Sequence, residues 1–320
     1  MGQKAKKKMK KEKSMRSETR LRFVVICAAI VLFYSAYAMA GTWQTLDYPG
    51  SADTWVEGAG NGYICGYSYS GGYTYDGSTW RTYNATGYPR PTMVTSAWGN
   101  TVVGHIQDAS GHHGVIYDGA TWTKIDKPGS TSTIFYGTNG SVHVGEYYAS
   151  GSHGFIYNGT TWTTIDKPGA ALTFVNGIYG NKIFGRADIY EEEVGGYGFI
   201  YDGTAWTDLI KPGAHYTEIK GISGKYIVGN YMQPSNVWHG FLYDGSTWTT
   251  MDMPWSTGII AGITGDTIVG YYNDAGLRAY PNNSELPIYS KAMVPLKGFR
   301  DKKTKSKEPI PNFRPVMGEN

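Results

Sequence analysis

Three histidines recur at one position of a repeated triplet, His113-Gly-Val, His153-Gly-Phe and His239-Gly-Phe. Imidazoles brought to one centre would make a zinc site, which requires ligands converging at about 2 Å. Equivalent positions of successive repeats lie apart, so each histidine is expected to satisfy backbone groups of its own loop. A second set follows a repeated apolar-Gly step: Tyr67, His105, Glu146, Arg186, Asn230 and Tyr271. These six differ in chemistry where their surroundings repeat, as binding residues on a uniform scaffold do. They are the candidate ligand-binding residues, expected to face one mouth beside the varied loops that follow them. No nucleophile–base pair, phosphate loop or dinucleotide fingerprint is visible. Glu191-Glu192-Glu193 reads as a solvated charge run. The expectation is therefore a protein without catalytic residues, metal or cofactor.

Such residues need a scaffold, and the composition indicates its class. The 320 residues include 44 Gly, 27 Tyr and 10 Trp, with only 17% charged residues. That excludes disorder as the main state and excludes a coiled coil, and it fits a turn-rich all-β chain. Tryptophan opens a short motif at Trp43, Trp80, Trp122, Trp162, Trp206 and Trp248, with intervals near 40 residues. Each interval holds four runs of β-branched and aromatic residues bounded by Gly, Asn, Asp or Pro, the pattern of one propeller blade. Asp76-Gly77, Asp118-Gly119, Asn158-Gly159, Asp202-Gly203 and Asp244-Gly245 predict two-residue type I′ hairpins between the third and fourth strands. Full units begin near Thr54, Thr92, Thr133, Thr173 and Thr217. A sixth begins near Gly258 and lacks its Trp strand, while residues 43–48 are a fourth strand without its first three. Pairing 43–48 with 277–280 predicts a six-bladed β-propeller of four-stranded blades, closed by the N-terminal strand. Cys65 aligns with Val103, Val144, Phe184, Val228 and Val269 and reads as a small core residue. The repeated tryptophans read as packing between blades.

Ile227-Val-Gly-Asn-Tyr and His239-Gly-Phe-Leu-Tyr, followed by an apolar-Pro-Gly strand end, resemble the HAF-type extracellular repeat family, with glycine in place of its middle alanine. The resemblance covers about 240 residues and implies an exported repeat protein with no assigned reaction. Gly119-Ala-Thr-Trp122 and Gly245-Ser-Thr-Trp248 resemble the end of the Asp-box hairpin of sialidases, an element that is structural there too. That activity would also need three arginines around a carboxylate, and the body offers only Arg81, Arg90, Arg186 and Arg278.

Charge is segregated along the chain. Residues 1–40 carry ten Lys and Arg against Glu12 and Glu18, then an apolar run from Phe23 to Phe33 and Ala38-Met39-Ala40. This is the grammar of a signal peptide or signal anchor. Residues 41–281, the expected propeller, hold 20 acids against 11 bases. An acidic body repels phosphate backbones, so no nucleic acid partner is expected. Residues 282–320 form a basic, proline-bearing tail that reads as disordered. The sequence thus predicts a secreted or cell-surface monomer. Its membrane contact would run only through residues 23–40 if these are retained. Its function is expected to be non-catalytic, a binding or scaffold module for an unidentified ligand or extracellular polymer. A carbohydrate-binding lectin is the alternative, with a glycoside-active propeller enzyme behind it.

Overall fold

The computed structural model describes residues 45–272 apart from 52, 86, 89–90, 190–194 and 253–258, together with the backbone of 289–292. The expectations for residues 1–40, for Trp43, for Glu191-Glu192-Glu193 and for 277–280 lie outside the described residues. Sheet one is β1 (Trp55–Gly60), β2 (Tyr63–Ser68), β3 (Gly71–Tyr75) and β4 (Trp80–Tyr83). Sheet two is β5 (Met93–Trp98), β6 (Thr101–Asp108), β7 (Gly111–Tyr117) and β8 (Trp122–Lys124). Sheet three is β9 (Ser132–Thr138), β10 (His143–Tyr148), β11 (Ser152–Tyr157) and β12 (Trp162–Ile165). Sheet four is β13 (Leu172–Tyr179), β14 (Lys182–Asp188), β15 (Gly196–Tyr201) and β16 (Trp206–Leu209). Sheet five is β17 (Tyr216–Ser223), β18 (Tyr226–Met232), β19 (Trp238–Tyr243) and β20 (Trp248–Thr250). Sheet six is β21 (Ile259–Thr264), β22 (Thr267–Tyr272) and β23 (Tyr289–Ala292). Within each sheet the strands follow chain order and pair antiparallel, and one parallel bridge, Gly196 to Tyr216, links sheets four and five.

The sheets are propeller-like in arrangement. The first strands lie beside one another in sequence, β1 against β5, β5 against β9, β9 against β13, β13 against β17 and β17 against β21, and β21 lies against β1. The core alternates as a half-buried strand should. Val56, Val94, Phe135, Val175, Ile219 and Ile260 on the first strands are buried, with Cys65, Val103, Val144, Phe184, Val228 and Val269 on the second. Tyr73, Val115, Phe155, Phe199 and Phe241 continue the layer on the third strands. Burial raises the Cys65 thiol well above its usual range, in keeping with an inert core residue. Each fourth-strand tryptophan pairs with the tyrosine opposite, as Trp162 with Tyr157 at 4.4 Å and Trp206 with Tyr201 at 4.5 Å between ring centroids. Trp206 also packs on a cluster that includes Val144 and Ile156 of the preceding sheet.

The turns depart from the expectation. The Asp-Gly pairs do not form two-residue type I′ hairpins. Tyr75 pairs with Trp80, leaving a four-residue loop in which Asp76 Oδ1 accepts from the backbone N–H of Ser78 and Thr79. The carboxylate does the work that a second positive φ would do, because aspartate readily caps its own following backbone. These bonds hold the Asp76 carboxyl below its ordinary range. The type I′ pattern occurs between β1 and β2 instead, at Asn61 and Gly62, with φ 56° and 89°. The Pro-Gly segments are tight turns closed by Ser130 N–H to Lys127 O, Ala170 N–H to Lys167 O and Ala214 N–H to Lys211 O. Gly129, Gly169 and Gly213 there take φ near +80° (81°, 81° and 78°), as a type II turn after proline requires.

Two further differences concern the ends. Residues 45–48 carry no strand. The third strand of sheet six is residues 289–292, inside the segment expected to be a disordered tail, and it pairs antiparallel with β22.

Candidate functional site

Each first strand carries a β-bulge at the same place, and the skipped residues are Glu57, Thr95, Tyr136, Asn176, Lys220 and Ala261. A bulge adds one unpaired residue and re-aims its side chain. These six residues line a cavity of about 230 Å³ bordered by the first strands of all six sheets. A glycine faces each bulge in the second strand. A Cβ on Gly145 would meet the Ile134 carbonyl oxygen, and one on Gly229 the Glu218 carbonyl oxygen. The repeated apolar-Gly step is therefore the footprint of the bulge. The bulge also turns backbone carbonyls out of the ladder, and side chains of the neighbouring sheet satisfy them. Thr95 Oγ1 donates to Phe135 O at 2.6 Å, and Asn176 Nδ2 to Ile219 O at 2.9 Å.

Charged groups gather at the cavity. Lys220 Nζ lies 2.9 Å from Glu218 Oε1, which also accepts from Asn176 Nδ2 at 3.0 Å. Burial raises Glu218, but Lys220, Arg186 and the bonds from Lys220 and Asn176 outweigh it and hold the carboxyl below its ordinary range. Glu146 accepts from Tyr136 Oη at 3.0 Å and from Ser152 Oγ at 3.3 Å, and burial still raises it. Glu57 makes no hydrogen bond or ion pair among the described residues, and burial raises it against the pull of Lys220. One end of the cavity is bridged by Asn61, whose Nδ2 donates to Thr138 O at 3.1 Å and lies 3.4 Å from Ala97 O.

The six residues chosen from the sequence divide. Tyr271 lines the cavity. Glu146 stands behind Tyr136, and Tyr67 stacks on Trp55 at 5.6 Å with planes 2° apart. Arg186 lies over the Phe174 ring at 4.5 Å, with Nε 2.7 Å from Asp188 Oδ1. Asn230 is buried, and its amide clasps the backbone of Ile260 in sheet six through Nδ2 to O at 2.9 Å and N–H to Oδ1 at 2.8 Å. His105 is buried against His112, with ring centroids 5.0 Å apart, and burial, with His112 adding to it, lowers it to about 3. For Asn230 and His105 the expectation of a side chain facing a mouth is corrected: Asn230 is packed between sheets five and six, and His105 is buried against His112 of its own sheet. The bulge residues escaped sequence reading, although the pattern Thr-x-apolar-X-Gly at Thr54, Thr133, Thr173 and Thr217 marks the varied position X.

The repeated histidines pair with carboxylates, not with the loop backbone as expected. His113, His153 and His239 each place Nδ1 2.9 Å from Asp126, Asp166 and Asp252, thirteen residues on. His153 and His239 also stack on Tyr147 and Tyr231. In sheet two Ser110 Oγ comes within 2.9 Å of His113 Nε2, the nucleophile–base spacing not foreseen from the sequence. Asp108 Oδ1 lies 2.5 Å from that hydroxyl and 3.0 Å from Nε2, and it accepts the Ser110 N–H at 2.7 Å. The serine hydrogen is thereby directed to a carboxylate within a capped turn, and the imidazole is already engaged on both nitrogens.

No family model matches the chain, so none stands behind the HAF resemblance, and no curated protein sequence matches it. Among solved structures the chain is similar to a domain described as the β-propeller of the trilobed protease from Pyrococcus furiosus. The identity is 15% and the TM-score 0.40, over 59% of this chain and 64% of that one. It is similar to the Aleuria aurantia lectin, described as a six-bladed β-propeller with fucose recognition, at 13% identity and TM-score 0.41 over 73% of this chain and 91% of that one. A member of the GH130 mannoside phosphorylase family matches at 12% identity and TM-score 0.35, over 85% of this chain and 97% of that one.

Proposed function

We propose that this protein is an exported, non-catalytic six-bladed β-propeller that binds a small polar ligand in its central cavity. The observation that carries the reading is the set of bulge residues. One structurally equivalent position, repeated six times around one cavity, holds Glu, Thr, Tyr, Asn, Lys and Ala, whereas the core positions beside it stay apolar. Concave sites with a few converging polar groups are where small ligands bind. Closure of the ring is supported by the contact of β21 with β1 and by Leu46, which packs on Val56 and Ile64 of sheet one and Ala261 and Val269 of sheet six. Since Asn61 bridges one end, the ligand enters from the Pro-Gly end. Export rests on the basic and apolar segments of residues 1–40.

Carbohydrate binding is a second reading, favoured by Tyr69 in the turn after β2 and Tyr148 at the end of β10, which stand 81% and 54% exposed. A glycoside-cleaving reading would need a carboxyl donor and an ionised partner. Glu57 and Glu218 are shifted in opposite senses, but Glu218 is held by Lys220 and Asn176. The test is a thermal-shift screen of the full chain against sugars, amines, amino acids and divalent cations, repeated on Tyr136→Phe and Lys220→Met. Hits are expected to weaken in Tyr136→Phe and to change in Lys220→Met, strengthening for cations and weakening for uncharged ligands, with no release of nitrophenol from aryl glycosides. Hits unchanged in both variants, or turnover, would overturn the proposal.

A further inference from the structure

Resting on the reading of the cavity as a binding site, we infer that its ligand carries a protonated amine and that Glu57 is the counter-ion. Of the charged groups around the cavity, Lys220 is satisfied by Glu218 and Glu146 is held by Tyr136 and Ser152. Glu57 alone among these lines the cavity with no hydrogen bond or ion pair from the described residues. Glu57 is half-buried in the cavity wall; a carboxylate partly withdrawn from water without a partner carries a desolvation cost, and a ligand that donates to it and neutralises it removes that cost. An anionic ligand would add to the repulsion, and a neutral one would leave the charge uncompensated.

Two further observations favour a cation. Tyr136 and Tyr271 line the same cavity, and aromatic faces attract organic cations. Residues 41–281 carry 20 acids against 11 bases, so the field of the body draws cations toward it. The volume also limits the ligand. At about 30 Å³ per water, a cavity of about 230 Å³ holds the equivalent of about eight waters, which suits an amine of around ten non-hydrogen atoms.

The experiment is calorimetric titration of the full chain with two matched pairs, glucosamine against glucose and 1,4-diaminobutane against 1,4-butanediol. The amine of at least one pair is expected to bind tenfold or more tightly than its neutral partner. Glu57→Gln should remove that preference, and Glu57→Asp, which keeps the charge, should retain it. Far-ultraviolet circular dichroism checks that both variants are folded. Neutral members binding as tightly as the amines, and weakened by Lys220→Met, would overturn the cation and leave the cavity standing. Amine binding unaffected by Glu57→Gln, or no amine binding below about 10 mM, would overturn the inference outright.

Discussion

Gly229→Ala is expected to destabilise the protein by about 3 kcal/mol or more, a loss that falls among the large single-site effects. The reason is the bulge. Gly229 pairs with Ile219 at the point where Lys220 is skipped, and a Cβ there would run into the Glu218 carbonyl oxygen and crowd the Phe241 ring. Both neighbours belong to the packed core, so neither yields cheaply. Gly213→Ala is the control. Gly213 has φ +78° with nothing within 4 Å of the added methyl, so it bears only the left-handed conformational penalty, about 1–2 kcal/mol. Urea denaturation of the two variants beside the parent measures the difference. Equal losses would mean that the glycine is a matter of conformation and not of space.

Glu218→Ala has the second largest expected effect. It removes the partner of Lys220 and an acceptor of Asn176. Breaking one side of a buried pair typically destabilises by about 3–5 kcal/mol; the Lys220 side chain is 27% exposed, which moderates the loss to about 2–3 kcal/mol. Glu57→Gln should act in the opposite sense. Glu57 is raised in the folded chain, so its ionisation opposes folding. That penalty is absent below the ordinary carboxylate pKa and grows as pH rises through the folded value. The substitution is therefore expected to stabilise the unliganded protein at pH 8 and to change little at pH 4. Glu218 is lowered, so its contribution is present above the ordinary carboxylate pKa and is lost as pH falls through the folded value. Melting temperatures of both variants at pH 4 and pH 8 read the two signs. A Glu57→Gln variant less stable than the parent at pH 8 would show that the carboxylate has a protein partner after all.

The strands were legible because their bounds are chemical: Gly, Asn, Asp and Pro punctuate runs such as Tyr226–Met232, and the tryptophans repeat at the fourth strand. The bulges were not, because an alternating pattern does not show where one residue is skipped. Glu57 and Lys220 each follow a buried apolar residue, and only the skipped register singles them out. The turn types exchanged places since Asp-Gly and Asn-Gly both permit type I′, and only the Asp76 carboxylate, capping two N–H groups, decides for the longer loop. His105 and Asn230 occupy the same register position as Glu146, yet the first packs against His112 and the second clasps Ile260, which no local pattern reveals. The strand at 289–292 lies in a proline-bearing segment that carries no apolar period, so its pairing with β22 depends on the sheet and not on its own sequence.

The most direct measurement is a crystal structure of the full chain with the tightest binder from the thermal-shift screen. The ligand is expected between β1, β9, β13 and β17, within hydrogen-bonding distance of the Glu57 carboxylate and against Tyr136. A ligand seated instead on the Asp-Gly loops, or over the His–Asp pairs at Asp126, Asp166 and Asp252, would contradict it.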